Sequence, residues 1–183
     1  AEDSSAKNNH GRLEPNEESG PSRGPGIQGG GLEFDGVDDR VEGQLGSVSD
    51  EVTVSAWART THGSGPGGGH SDFGGILGDG GSQAYDKFLL RKYDGPDEYQ
   101  FSWDYSDGGT TVGVSDSKVE DGRWHHLVGQ YNGSHLRIFL DSDLQEQKQY
   151  TGSIQSQGTY QVGRYEGGSG LYYYYNGRID KAK

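Results

Sequence analysis

The sequence predicts an all-β protein, an antiparallel two-sheet β-sandwich of jelly-roll type preceded by an extended, non-regular N-terminal tail. Three observations carry that prediction. From Gly31 onward, short runs of alternating apolar and polar residues follow one another. Asp-Gly, Asn-Gly and Gly-Gly pairs separate many of these runs and supply the positive φ that tight turns need. No stretch shows a convincing helical period, and the 34 glycines recur with the period of neither collagen nor a solenoid.

Residues 1–30, AEDSSAKNNHGRLEPNEESGPSRGPGIQGG, are polar, charged and rich in Gly and Pro, with Leu13 and Ile27 as their sizeable apolar groups. Such a segment reads as a tail or linker; if it is ordered, either its own domain or a neighbouring subunit must hold it. The jelly-roll domain is expected over residues 31–183. Its strands are read in GLEFDG, DRVEG, EVTVSAWART, KFLLRKY, EYQFSWDY, TTVGV, WHHLVGQY, HLRIFLD, TYQVGR and LYYYYNGRID. The adjacent histidines of WHHLVGQY invite a reading as a site. Period two opposes it: His125, Leu127, Gly129 and Tyr131 point one way, while Trp124, His126, Val128 and Gln130 point the other. His125 is therefore read as a hydrogen-bonded core residue, with His126 on the other face. Asn132-Gly133 then signals a type I′ hairpin, after which Leu136, Ile138 and Leu140 form the next apolar face.

Composition bounds the function. The 183 residues suit one domain with an extension. A hydrophobic content of 28%, a mean hydropathy of -0.93 and a net charge of -12 lean toward disorder. The 11% of aromatic residues, clustered after Trp57, offset this, because each large ring buries a great deal of area. The acidic excess repels phosphate backbones and anionic membranes, so no nucleic-acid partner is expected. No apolar run approaches the roughly 20 residues that cross a bilayer, so membrane insertion is not expected either. No signal-peptide pattern is present. A chain that starts at Ala1 and has no Met reads as a processed form or an excised fragment. Cysteine is absent, so disulfides say nothing about the compartment, whereas sparse lysine with acidic excess fits a secreted or salt-adapted protein.

The segments GLEFDGVDDRVE, EVTVSAWART, GGILGDGG, DGRWHHLVGQYNGSHLRIFLD, YQVGR and YYNGRID occur in an order and spacing that resembles laminin-G-like, concanavalin-A-like jelly-roll domains of the bacterial and archaeal type. The resemblance runs from Gly31 to Asp180, and the Trp-His-His hairpin is its most specific part. It implies the fold strongly and the function weakly, since this fold serves lectins, adhesion modules, appended modules of glycan-degrading enzymes and catalytic domains. Members usually continue after GRID with another strand, so the last strand is read as missing. A Gly-rich insertion, Thr61 to Gly75, lengthens a rim loop. The resemblance also implies one structural calcium near the meeting of the first and last strands, with Asp35, Asp38 and Asp180 as ligands and Asp39 in reserve; Ca²⁺ takes such hard oxygen donors. The bland alternative is that these aspartates shape turns. Laminin-type members use an aspartate at the position of Asp86, but its usual second aspartate has no counterpart here.

Three further chemistries are weighed. Glu33-Phe34-Asp35-Gly36-Val37-Asp38 approaches the Glu-x-Asp-x-x-Glu of laminarinase-type glycoside hydrolases. It ends in Asp, however, and Gly36-Val37 reads as a turn, so no catalytic residue is assigned. A ligand-binding rim is read in Tyr93, Trp103, Tyr105 and, from the LYYYYNG run, Tyr173 and Tyr175, because aromatic rings stack on sugars; alternation should bury about half of that run. His62 and His70 lack a third ligand for metal. Asn132-Gly133-Ser134 matches a glycosylation sequon, which a hairpin explains equally. Arg59, Arg91, Lys92, Arg164 and Arg178 are scattered through the sequence, so a neutral glycan or a protein surface is the expected partner. The expectation is a non-catalytic recognition module, extracellular or at a cell surface. The alternative is a structural subunit of a filament, sheath or virus surface, self-assembled through the tail and an open sheet edge.

Overall fold

The computed structural model describes residues 10–16, 18–46, 51–60, 73–79, 88–93, 98–103, 110–115, 121–151, 158–167 and 171–183. Among these, sixteen strands form: β1 Arg12–Glu14, β2 Ser22–Pro25, β3 Gly30–Asp35, β4 Arg40–Gln44, β5 Val52–Thr60, β6 Gly74–Asp79, β7 Phe88–Tyr93, β8 Glu98–Trp103, β9 Thr110–Ser115, β10 His125–Tyr131, β11 His135–Leu140, β12 Asp143–Gln149, β13 Thr159–Val162, β14 Arg164–Gly167, β15 Leu171–Tyr174 and β16 Asn176–Asp180. Sheet A has the order β1-β4-β13-β6-β7-β8-β9, sheet B the order β12-β11-β10-β5-β16-β3-β2, and β14-β15 form a separate ribbon. All their pairings are antiparallel, as in a jelly-roll sandwich. No helix of the described residues is long and apolar enough to cross a membrane.

Alternation positions the core. On β5, Val54, Ala56, Ala58 and Thr60 turn inward; on β10, Leu127, Gly129 and Tyr131; on β11, Leu136, Ile138 and Leu140. Phe34, Val41, Ile76, Leu77, Phe88, Leu90, Tyr99, Val162, Tyr175 and Ile179 complete the cluster. Thr60 Oγ1 lies 2.6 Å from the Tyr99 hydroxyl and 2.7 Å from that of Tyr175, so three buried hydroxyls satisfy one another. β6 is buried on both faces, and the sequence explains how. The β14-β15 ribbon lies over it, and at Gly75 any Cβ would collide with the backbone carbonyl of Arg164.

The tail segment is not wholly irregular. Residues 12–14 join sheet A beside β4, and residues 22–25 join sheet B beside β3, each as an edge strand of its own chain. GRID lies between β5 and β3, and past the positive-φ residue Lys181 the backbone of Lys183 exchanges two hydrogen bonds with Ser55. LYYYYNGRID is two strands rather than one, broken at Tyr175, whose amide donates to the Gly163 carbonyl.

Candidate ligand-binding rim

Arg164 pairs with Tyr174, Tyr165 with Tyr173, and Glu166 with Tyr172, so the ribbon has two different faces. Tyr165 and Tyr173 turn toward sheet A, their rings stacked with centroids 4.8 Å apart. Phe73 joins Tyr173 to Tyr93, at 5.2 and 5.1 Å, and the buried Arg91 guanidinium lies 4.7 Å from the Tyr93 ring and 5.4 Å from that of Tyr165. The structure thus brings Tyr93 and Tyr173 together, in an aromatic layer between ribbon and sheet whose rings face one another and Arg91.

The outward face carries Tyr172 and Tyr174. Tyr172 is 47% exposed, and Arg164 lies 4.4 Å from its ring centroid. Arg164 is held from behind: its Nε donates to Gln161 Oε1 at 3.0 Å and its Nη2 to Glu42 Oε1 at 3.1 Å. Glu42 also accepts from Arg40 Nε at 2.7 Å, and Arg40 lies 3.8 Å from Glu14, which binds Arg12. A ladder of alternating charge therefore crosses β1 and β4 and ends under an exposed tyrosine.

Beside it, the turn between β3 and β4 gathers acids. Asp35, Asp38 and Asp39 each offer a carboxylate oxygen within 4.8 Å of the others. Gly36, at φ 79°, reverses the chain; the Val37 amide donates to Asp35 Oδ1 at 2.8 Å and the Asp35 amide to Asp39 Oδ2 at 2.9 Å. Burial pushes the Asp39 carboxyl up to about 6; the Asp35 amide opposes this, and the charges of Asp35 and Asp38 add to it. The turn and the ribbon share one end of the sandwich, since Arg40 follows Asp39 and Asn176, two residues past Tyr174, pairs with Asp35.

Three expected contacts fall elsewhere. Asp180 does not join Asp35 and Asp38. It lies at the far end of the β16-β3 pairing, where Oδ2 accepts from the amides of Ile27 at 3.0 Å and Gln28 at 3.5 Å, and Oδ1 from that of Lys181 at 2.7 Å. Its role is to clamp the turn between β2 and β3. Tyr175 is fully buried with its hydroxyl on Thr60, which removes it from any ligand surface. Trp103 pairs with Phe88, at the opposite end of the β7-β8 pairing from Tyr93. Tyr105, Asp86, His62 and His70 lie outside the described residues. Sequence reasoning offered the run from Tyr172 to Tyr175 but settled on Tyr173 and Tyr175, and it left Arg164 among the scattered cations, because it did not phase the run. The signal that separates them is the inward Ile179 and Gly177, which fix the phase of β16 independently of the tyrosines.

In the hairpin, His125 Nδ1 lies 2.8 Å from Asp141 Oδ2 and Nε2 lies 3.3 Å from Asp121 Oδ1, while the Asp141 Oδ1 accepts the His126 amide at 2.8 Å. His126 stacks on Trp57 on the opposite face of sheet B, with ring centroids 5.0 Å apart.

Known proteins share this architecture. Mouse laminin α1 chain domains LG4-5 superpose with a TM-score of 0.62 at 15% identity, over 83% of this chain and 40% of that one. The binding domain of botulinum neurotoxin serotype G gives 0.71 at 11%, over 98% and 44%. Domain 4 of AbnA, an extracellular GH43 arabinanase from Geobacillus stearothermophilus solved in complex with arabinotriose, gives 0.59 at 14%, over 94% and 78%. The chain spans less than half the length of the laminin and neurotoxin structures. No curated protein sequence matches it. Residues 35–183 match the family model of laminin G type described as the concanavalin A-like lectin/glucanases superfamily, and with four-fifths of its length inside that match and a two-sheet sandwich around it, the chain belongs to this family.

Proposed function

We propose that the chain is a non-catalytic recognition module of an extracellular or surface protein, which binds a neutral saccharide at the rim built by Tyr172, Tyr174, Arg164 and Glu42. The observation that carries this reading is the exposed Tyr172 ring backed by a hydrogen-bonded guanidinium. A sugar's C–H face stacks on such a ring while Arg164, Glu42 and Gln161 read its hydroxyls. That a domain of this fold occurs in complex with arabinotriose supports it. An array of neutral oligosaccharides tests it. The module should retain at least one, and Tyr172→Ala should release it; a folded protein that retains none, but captures a protein ligand through the same rim, would move the assignment to protein recognition.

The acidic turn supplies the second part of the proposal. Three carboxylates within 4.8 Å form a hard oxygen donor set that fits Ca²⁺, and a cation there offsets the burial, and the smaller repulsion, that raise Asp39. Asp35, Asp38 and Asp39 would hold it, in place of the set that included Asp180, and the ion would tie β3 to β4. The subunit alternative is disfavoured because β1 and β2 pair within their own chain. A hydrolase is disfavoured because Glu33 is engaged by Arg178 at 3.0 Å and Asp38 sits in the turn instead of on β3. Polysaccharide cleavage that vanishes in Glu33→Gln and Asp38→Asn would reverse that judgement.

A further inference from the structure

Two arginines that are far apart in sequence meet on the outer face of sheet B. Arg59 on β5 stands directly opposite Arg178 on β16, and Arg178 directly opposite Glu33 on β3. Side chains so paired have Cβ atoms about 4.5–5.5 Å apart, and like charges there destabilise a sheet. Arg178 Nη2 donates to Glu33 Oε2 at 3.0 Å. Arg59 has a different partner: its Nε donates to the Gly122 carbonyl at 2.6 Å, and among the described residues no carboxylate pairs with it. Two guanidinium groups and the Glu33 carboxylate meet there, with the exposed Asp35 opposite Asn176 at the edge, in a chain of net charge -12.

These groups line one groove, together with Phe34, Asn176 and Gly177. A guanidinium fork matches a carboxylate in plane and spacing, and the pair is charge-assisted. The same groove carries groups suited to hydroxyls, the Glu33 carboxylate as acceptor and the Asn176 amide as both donor and acceptor. A simple anion uses the cations alone, whereas a ring bearing both a carboxylate and hydroxyls uses every group present. We propose that this groove is a second ligand site, distinct from the rim, which takes a carboxylate-bearing sugar: the carboxylate on Arg59 and Arg178, the hydroxyls on Glu33 and Asn176.

Calorimetric titration with 3′-sialyllactose against lactose, and with methyl glucuronide against methyl glucoside, tests it and separates sialic from uronic acids. At least one acidic sugar should bind tenfold or more tighter than its neutral partner, and the advantage should shrink as salt is raised. Arg59→Gln and Arg178→Gln should each weaken that sugar tenfold or more. Arg59→Lys, which keeps the charge and loses the fork, should fall between, and Lys148→Gln, which removes an equal charge from the sheet edge, should change nothing. Far-UV circular dichroism verifies that each variant is folded, and Arg178→Gln and Arg59→Lys carry the test if Arg59→Gln is not. Acidic sugars that bind no better than neutral ones, or binding that survives both glutamine variants, would overturn the proposal. So would a glutamate-rich peptide that outcompetes the sugar, since the groove would then serve a protein.

Discussion

The Trp-His-His hairpin and the tyrosine run look alike in sequence, each an unusual cluster of aromatic and titratable residues next to a glycine turn. In the structure they part. Both ring nitrogens of His125 face carboxylates and the His126 ring is stacked on Trp57. Asp141, held at φ 49°, spends its second oxygen on the His126 amide. The cluster is spent on holding β10 to the turn after β11. In the tyrosine run, Tyr173 and Tyr175 are equally spent, one in the layer beneath the ribbon and one in the core, but Tyr172 remains half exposed over a guanidinium that the sheet holds in place. Residue type does not separate a fold signature from a binding surface; what each group is already bonded to does.

Substitutions sharpen that contrast. Tyr175→Ala should cost most, about 3–5 kcal/mol, because it opens a cavity and removes one of the two hydroxyl partners of Thr60; chemical denaturation would measure it. Asp141→Ala should cost about 1–3 kcal/mol by leaving the His126 amide and the His125 Nδ1 without their Asp141 partner, and an equal loss from Tyr172→Ala would erase the distinction between the two regions. Asp39 gives a third test, with a sign opposite to that of most aspartates. Its carboxyl titrates at about 6 in the fold against 3.8 as a free group, so the folded state binds the extra proton and stability falls as pH rises from about 4 to 6. At pH 7 without calcium, Asp39→Asn should therefore raise Tm by a few degrees, and wild type but not this variant should gain Tm from added Ca²⁺. Smallest is the effect of Tyr172→Ala on stability, under about 1 kcal/mol, since the ring is half exposed.

Much of the fold was legible because alternation and turns are local. His125 and His126 on opposite faces and the inward Leu136, Ile138 and Leu140 follow from period two; the chain reverses where Asn132-Gly133 signals it, but with Gly133 at positive φ (80°), Asn132 not, and Tyr131 paired with Leu136, so the expected type I′ turn is replaced by another. Strand β12 was not legible. DLQEQKQ is polar apart from the exposed Leu144 because it is an exposed edge, held by its pairing with β11. The candidate site was legible only in part. Asp35 and Asp38 stand in one short turn, so their meeting is local; that Asp180 lies at the other end of β16 depends on register across 145 residues, seen where Arg178 meets Glu33. Tyr172 could have been placed: counting back by twos from the inward Ile179 and Gly177 turns Tyr175 and Tyr173 inward and leaves Tyr174 and Tyr172 outward. Arg59 and Arg178, scattered in the chain, become neighbours only through strand pairing.

The most direct test of the account is the affinity of its tightest neutral glycan, measured side by side for wild type, Tyr172→Ala and His126→Ala, all verified as folded. The account predicts that Tyr172→Ala weakens binding tenfold or more while His126→Ala binds as wild type does. Equal affinity in Tyr172→Ala, or a loss confined to His126→Ala, would contradict it.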